Sequence, residues 1–155
     1  MNTPHVIKMT IVLADDHNLT RQGIRRLLED DDRFEVIGEA TDGEEAIDVT
    51  ANLKPDILIT DYKMPGASGT QVTKKVRELS PTTRIIVLTM FGLETYVYSV
   101  IAAGATGYVL KGSGLQNLDT AIREVYEGRI YLSPPLTKEL VNAYQIRTGK
   151  PALTW

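Results

Sequence analysis

The chain has no cysteine, only two histidines, and no apolar run approaching the roughly 18 residues of a membrane span. The missing cysteines exclude thiolate metal sites, a cysteine nucleophile and a disulfide framework, and they fit a reducing compartment. Excess charge of either sign is missing too. Seventeen basic residues stand against 20 acidic ones, a net charge of -3, so no global field holds nucleic acid by its phosphates. Met1 to Thr10 carries no apolar signal core, so a cytoplasmic location without membrane contact is expected. No Gly-x-Gly-x-x-Gly or Walker loop occurs, which argues against dinucleotide or ATP binding and leaves Gly66, Gly69, Gly104 and Gly107 to serve turns.

What is present is an ordinary globular balance: 155 residues, 43% hydrophobic and 24% charged. That length favours one domain with a short appendage, and a domain of this size buries roughly 70% of its unfolded surface without staples. Five short aliphatic or β-branched runs have strand length: Thr10–Ala14, Phe34–Gly38, Asp56–Thr60, Arg84–Thr89 and Gly107–Leu110. Three are continuously apolar, as parallel strands covered on both faces are, whereas Glu35 and Glu39 mark the second as an edge.

Between the runs lie residues at helical spacing: Leu19, Ile24, Leu27 and Leu28; Ala46, Thr50 and Leu53; Val72, Val76 and Leu79; Val97, Val100 and Ile101; Leu115, Leu118, Ile122 and Val125. Pro55, Pro81 and Gly128 close helices, while Asp42-Gly43 and Gly66 to Gly69 open turns before them. Five alternations of strand and helix predict a doubly wound, five-stranded parallel α/β sheet with right-handed crossovers. After Gly128 the pattern changes. Ile130-Tyr131-Leu132 and Ser133-Pro134-Pro135 precede one further amphipathic helix on Leu136, Leu140, Val141 and Tyr144. The expected organisation is a domain over 1–128 and a linker with a short helix over 129–155.

In an open parallel sheet the working site lies beyond the carboxyl ends of the strands. There the first strand delivers Asp15-Asp16, the third Asp61, the fourth Thr89 and the fifth Lys111. Two unit charges about 4 Å apart repel by about 4 kcal/mol at an effective dielectric of 20, so three carboxylates need cationic company. Lys111 supplies one charge. Hard oxygen ligands without thiol or histidine partners select Mg²⁺ or a similar ion, with phosphate oxygen as the natural further ligand. A phosphoryl group is then the expected substrate: a carboxylate can take it as an acyl phosphate, and the Thr89 hydroxyl can bond it.

Asp15-Asp16, Asp61-Tyr62-Lys63-Met64-Pro65-Gly66, Thr89 and Gly107-Tyr108-Val109-Leu110-Lys111 resemble, in type, order and spacing, the receiver domain of two-component response regulators. The likeness covers about residues 10 to 128. Ala14-Asp15-Asp16-His17 to Arg21-Gln22-Gly23 and Gly104 to Lys111 resemble in particular the NarL/FixJ (LuxR-type) regulators. The resemblance implies a flavodoxin-like fold with strand order 2-1-3-4-5 and phosphorylation of Asp61 by a histidine kinase or acetyl phosphate. It implies Mg²⁺ or Mn²⁺ held by Asp16, Asp61 and the Lys63 backbone carbonyl, with Asp15 acting through water. Lys111 would bridge to the phosphoryl, Thr89 would move toward it, and Tyr108 would follow Thr89 inward. It further implies a phosphorylation-dependent homodimer and control of transcription through a helix-turn-helix domain that would begin near Leu153-Thr154, so that DNA is met only through that absent half. Two positions depart from common receivers. Gly112 follows Lys111 where many have proline, and Met90 is larger than the usual neighbour of the threonine.

An isolated strand-end aspartate is ordinarily a helix cap or turn residue. The conjunction of five functional residues at four strand ends sets that reading aside. His17 and His5 lack partners at ligand spacing and are expected to be solvated, as is the Lys74-Lys75-Arg77 face. The rivals are a phosphoaspartate hydrolase on the same scaffold and a phosphorylation-independent interaction module. The first would want an acid/base group two residues after the nucleophile, where Lys63 stands, so the chain is expected to be a signalling domain and not an enzyme in its own right. The intact set of site residues speaks against the second.

Overall fold

The computed structural model describes residues 8–90, 94–112 and 115–133, the side chains of 94–96 excepted. Strands β1 (Met9–Ala14), β2 (Phe34–Ala40), β3 (Ile57–Asp61), β4 (Arg84–Thr89) and β5 (Gly107–Leu110) alternate with helices α1 (Asn18–Glu29), α2 (Gly43–Leu53), α3 (Gly69–Leu79), α4 (Glu94–Ala103) and α5 (Leu118–Tyr126). A 3₁₀ turn, Leu115–Asn117, leads into α5. All strand pairs are parallel, in the order 2-1-3-4-5 followed by a sixth strand, β6 (Tyr131–Leu132), on β5. The glutamate-marked second run is the edge, as its sequence suggests.

Successive side chains of a strand point to opposite faces, so the continuous apolar runs divide into two cores. Ile11 and Leu13 of β1, Ile57 and Ile59 of β3 and Ile86 and Leu88 of β4 meet Ile24 and Leu28 of α1 and Leu118, Ile122 and Val125 of α5. Val12 and Ala14, Leu58, and Ile85 and Val87 meet Ala46 of α2, Val72 and Val76 of α3, and Val97 and Val100 of α4. Two helices therefore cover one face and three the other, which places the reversal of winding between β1 and β3. Ligand sites of doubly wound sheets open at that crevice.

Sequence spacing named more apolar contacts than the helices use. Leu19 and Leu27 of α1 are 88% and 50% exposed, and Leu53 and Leu79, each the last residue of its helix, are also exposed. The buried stripe of α1 is Arg21, Ile24 and Leu28. On a straight helix Leu27 lies about 100° around the axis from Leu28, so both cannot face one sheet. The sixth strand is the other departure. Gly128, at φ +90, turns the chain after α5, a conformation glycine adopts without penalty. The Tyr131 and Ser133 amides then donate to the carbonyls of Thr106 and Tyr108 at 2.8 and 3.0 Å, and Ser133 Oγ accepts from the Leu110 amide. The sheet thus runs past the expected boundary at Gly128. The expected helix on Leu136, Leu140, Val141 and Tyr144 lies outside the described residues, as does His5.

Candidate functional site

Strand adjacency assembles the site. Asp15 and Asp16 follow β1, and Asp61 ends β3 beside it. Thr89 ends β4, the neighbour of β3, and Lys111 follows β5. Backbone hydrogen bonds continue past the strands: Tyr62 N–H donates to the Leu88 carbonyl and Lys111 N–H to the Thr89 carbonyl, both at 2.8 Å. All five sequence-predicted side chains are therefore at one edge. Asp15, Asp61, Thr89 and Lys111 are buried, while Asp16 lies at the mouth.

Lys111 Nζ ties the carboxylates together, at 2.7 Å from Asp15 Oδ2 and 3.0 Å from Asp61 Oδ2. The other oxygen of Asp15 accepts the His17 backbone N–H at 2.9 Å. One Asp15 oxygen thus faces the ammonium and the other the start of α1, while Asp16 is the more open of the acidic pair. Burial pushes the Asp61 carboxyl above its ordinary range; Lys111 pulls it back, and Asp15 and Asp16 push it up further. Burial by itself would lower the Lys111 ammonium, but its bonds to Asp15 and Asp61 outweigh that and raise it. The ammonium stays charged. Three carboxylates around one cation leave an excess of two negative charges at the edge, a donor set suited to a hard divalent ion.

The loop after β3 completes the edge. Ser68 caps α3 by accepting from the Gln71 amide, and Gln71 returns the bond through its side chain. Gly69 packs so close to Tyr62 that a Cβ would lie 2.9 Å from its ring, which fixes the path of Tyr62 to Ser68. Beside Asp16 this loop walls an open cavity of about 500 Å³, lined by Lys63, Met64, Pro65 and Ser68 among others. Lys63 is exposed, and so is Met90 after Thr89. No cis peptide occurs among the described residues, which include Lys111-Gly112. Tyr108 is fully buried, in the core cluster that also holds Val72 and Val76 of α3 and Val97 and Val100 of α4.

Two residues of the site escaped the sequence reading. Arg21, on the helix stripe where an apolar residue is the rule, is buried because its guanidinium donates to the Asp15 carbonyl at 2.8 Å, to Glu39 Oε1 at 3.0 Å and to Asn18. It pins the backbone that carries the acidic pair. Periodicity alone carried no signal for it. His17 was expected to be merely solvated. Its side chain is 67% exposed, yet Nδ1 lies 3.3 Å from carboxylate oxygens of both Asp15 and Asp16 and 3.9 Å from Asp61. The Lys74, Lys75 and Arg77 side chains are exposed, as expected.

Comparison with known proteins agrees with this geometry. Residues 11–123 match the response regulator receiver domain family. Among curated relatives, the oxygen regulatory protein NreC of Staphylococcus carnosus is 42% identical over 145 residues, covering 93% of this chain and 67% of its own length. The response regulator GacA of Pseudomonas aeruginosa is 37% identical over 130 residues, covering 84% and 61%. The chain thus spans about two thirds or less of the length of these relatives. Among solved structures, a LuxR-family two-component response regulator from Aurantimonas sp. SI85-9A1 superposes with a TM-score of 0.83 at 34% identity, covering 88% of this chain and 98% of that one. With the fold, the acidic edge and these relatives in agreement, the chain belongs to the response regulator receiver domain family, in its NarL/LuxR-type branch.

Proposed function

We propose that the chain is the phospho-accepting part of a transcription regulator and that Asp61 takes the phosphoryl group. The observation that carries this reading is Lys111 Nζ bonded to both Asp15 and Asp61 at the mouth of the β1/β3 crevice. An Asp61 carboxylate oxygen attacks phosphorus of a phosphohistidine on a kinase, or of acetyl phosphate. A P–O bond to Asp61 forms as the P–N bond of the histidine, or the P–O bond to acetate, breaks. Lys111 is already in place to bond an equatorial oxygen, and the buried Thr89 hydroxyl stands at the neighbouring strand end. Asp16, Asp61 and the Lys63 carbonyl would hold Mg²⁺ or Mn²⁺, and Asp15 would reach it through water. The ion supplies charge neutralisation for the phosphoryl oxygens.

Phosphorylation draws Thr89 toward the phosphoryl group, and the buried Tyr108 repacks behind it, which changes the packing of β4, β5 and α4 beside them. The resulting surface governs pairing with a second copy. The chain's own net charge of -3 does not favour DNA binding by these residues, and the curated relatives it matches are longer.

Incubation with labelled acetyl phosphate and Mg²⁺ tests the reading. Stable stoichiometric label supports it, continuous turnover to phosphate supports a hydrolase, and absence of label supports the phosphorylation-independent module.

A further inference from the structure

The imidazole of His17 is the one feature of the acidic edge that phosphoryl transfer does not use. His17 opens α1 as its N-cap residue, with φ -90 and ψ 105, and its side chain makes no capping bond. The imidazole instead leans over the carboxylates. Its Nδ1 lies 3.3 Å from Asp15 Oδ1, 3.3 Å from Asp16 Oδ1 and 3.9 Å from Asp61 Oδ2. One ligand atom from each of these four residues falls within 4.8 Å of the others. Neighbouring ligand atoms around an octahedral ion with bonds of about 2.1 Å lie about 3 Å apart, so these spacings suit donors to a single ion. The exposure of the ring means that ligation needs no repacking of the core.

We propose that His17 gives its Nδ1 to the divalent ion held by Asp16 and Asp61, so that this receiver favours ions that accept imidazole over Mg²⁺. The inference rests on the metal-dependent receiver reading and deepens it. Carboxylate and carbonyl oxygens alone suit Mg²⁺ and Mn²⁺; one nitrogen donor moves the preference toward Co²⁺, Ni²⁺ and Zn²⁺. Asp15 is the less open donor, because Lys111 Nζ stands 2.7 Å from its Oδ2 and its Oδ1 accepts the His17 amide.

The test uses the whole chain, with His17→Ala, His17→Gln and Asp16→Asn as variants. Pulsed electron paramagnetic resonance of bound Mn²⁺ reads nitrogen coupling, and calorimetric titration compares Co²⁺ with Mg²⁺. Nitrogen coupling is expected in the parent chain and lost in both His17 variants. Co²⁺ affinity is expected to fall about tenfold or more in those variants while Mg²⁺ affinity holds. Absence of nitrogen coupling in the parent, or equal loss of both ions on His17 substitution, overturns the proposal. Asp16→Asn separates the two levels. If it weakens both ions while the His17 variants weaken neither, only the role of His17 falls; if Asp16→Asn binds like the parent, or the parent binds no ion, the metal-site reading falls with it.

Discussion

The two ends of the sheet handle polar groups in opposite ways. At the amino end, Asp56 Oδ2 accepts from both the backbone N–H and the hydroxyl of Thr10 at 2.9 and 3.1 Å, and Thr10 Oγ1 accepts the Asp56 amide at 2.9 Å. Beside it Ser80 Oγ and Thr83 Oγ1 lie 2.7 Å apart, and Thr83 passes its hydrogen to the Pro55 carbonyl at 2.7 Å. These four side chains meet one another and the adjoining backbone. At the carboxyl end three carboxylates crowd one ammonium. The amino end is built for stability, and the carboxyl end holds unneutralised charge in readiness for a ligand, at a cost in stability that the rest of the fold offsets.

The largest expected effect is total. Asp61→Asn should abolish phosphoryl uptake from acetyl phosphate, read by intact-protein mass spectrometry, and persistent stoichiometric uptake would place the nucleophile elsewhere. Lys111→Met removes the cation that meets both Asp15 and Asp61. Uptake should slow by about 10²-fold or more, the scale of losing one preorganised donor to a developing oxyanion. A stopped-flow or quench measurement showing an unchanged rate would remove Lys111 from the mechanism.

At the opposite end the effect should move from rate to stability. Asp56→Ala leaves the buried-side donors of Thr10 without their acceptor and should cost about 1–3 kcal/mol in urea unfolding, with the phosphorylation rate unchanged. A variant of ordinary stability and impaired uptake would erase the contrast between the ends.

The smallest effect is a pH dependence. Hydrogen bonds from the Arg33 side chain and backbone hold Asp31 down to about 2 from an ordinary 3.8. Its folded value is depressed, so its contribution to stability is present above 3.8 and is lost as pH falls through about 2. The gap in unfolding midpoint between the parent and Asp31→Asn should therefore close over that window. Asp61 has the opposite sign. Its raised value means that, without metal, stability from this group grows as pH falls through its folded value and stops growing near 3.8.

Much of this was legible in the residues. Continuous apolar runs gave the parallel strands, Glu35 and Glu39 marked the β2 edge, and the strand-end residues located the site. What escaped has physical reasons. The register shift between Ile11 and Val12 of β1 leaves Ile37 unmatched in β2, next to Gly38 where Val49 and Leu53 pack close, and has no local sequence pattern. Strand β6 is two residues long and exists only because β5 offers it a ladder. Arg21 reads as a solvent residue until the Asp15 carbonyl and Glu39 are brought to it by the fold, and His17 acquires its neighbours only when β1 and β3 lie side by side.

The central claim is that the Asp61 carboxylate is kept at the expense of stability for the sake of a ligand. Thermal unfolding of the parent and of Asp61→Asn, each with and without Mg²⁺, tests it most directly. Lys111 keeps Asp15 as its partner in the variant, so removal of the buried, crowded carboxylate should raise the metal-free unfolding temperature, by roughly 1 kcal/mol in stability, and should abolish the gain from Mg²⁺. An Asp61→Asn chain that unfolds at a lower temperature than the parent without metal and is still stabilised by Mg²⁺ would contradict the claim.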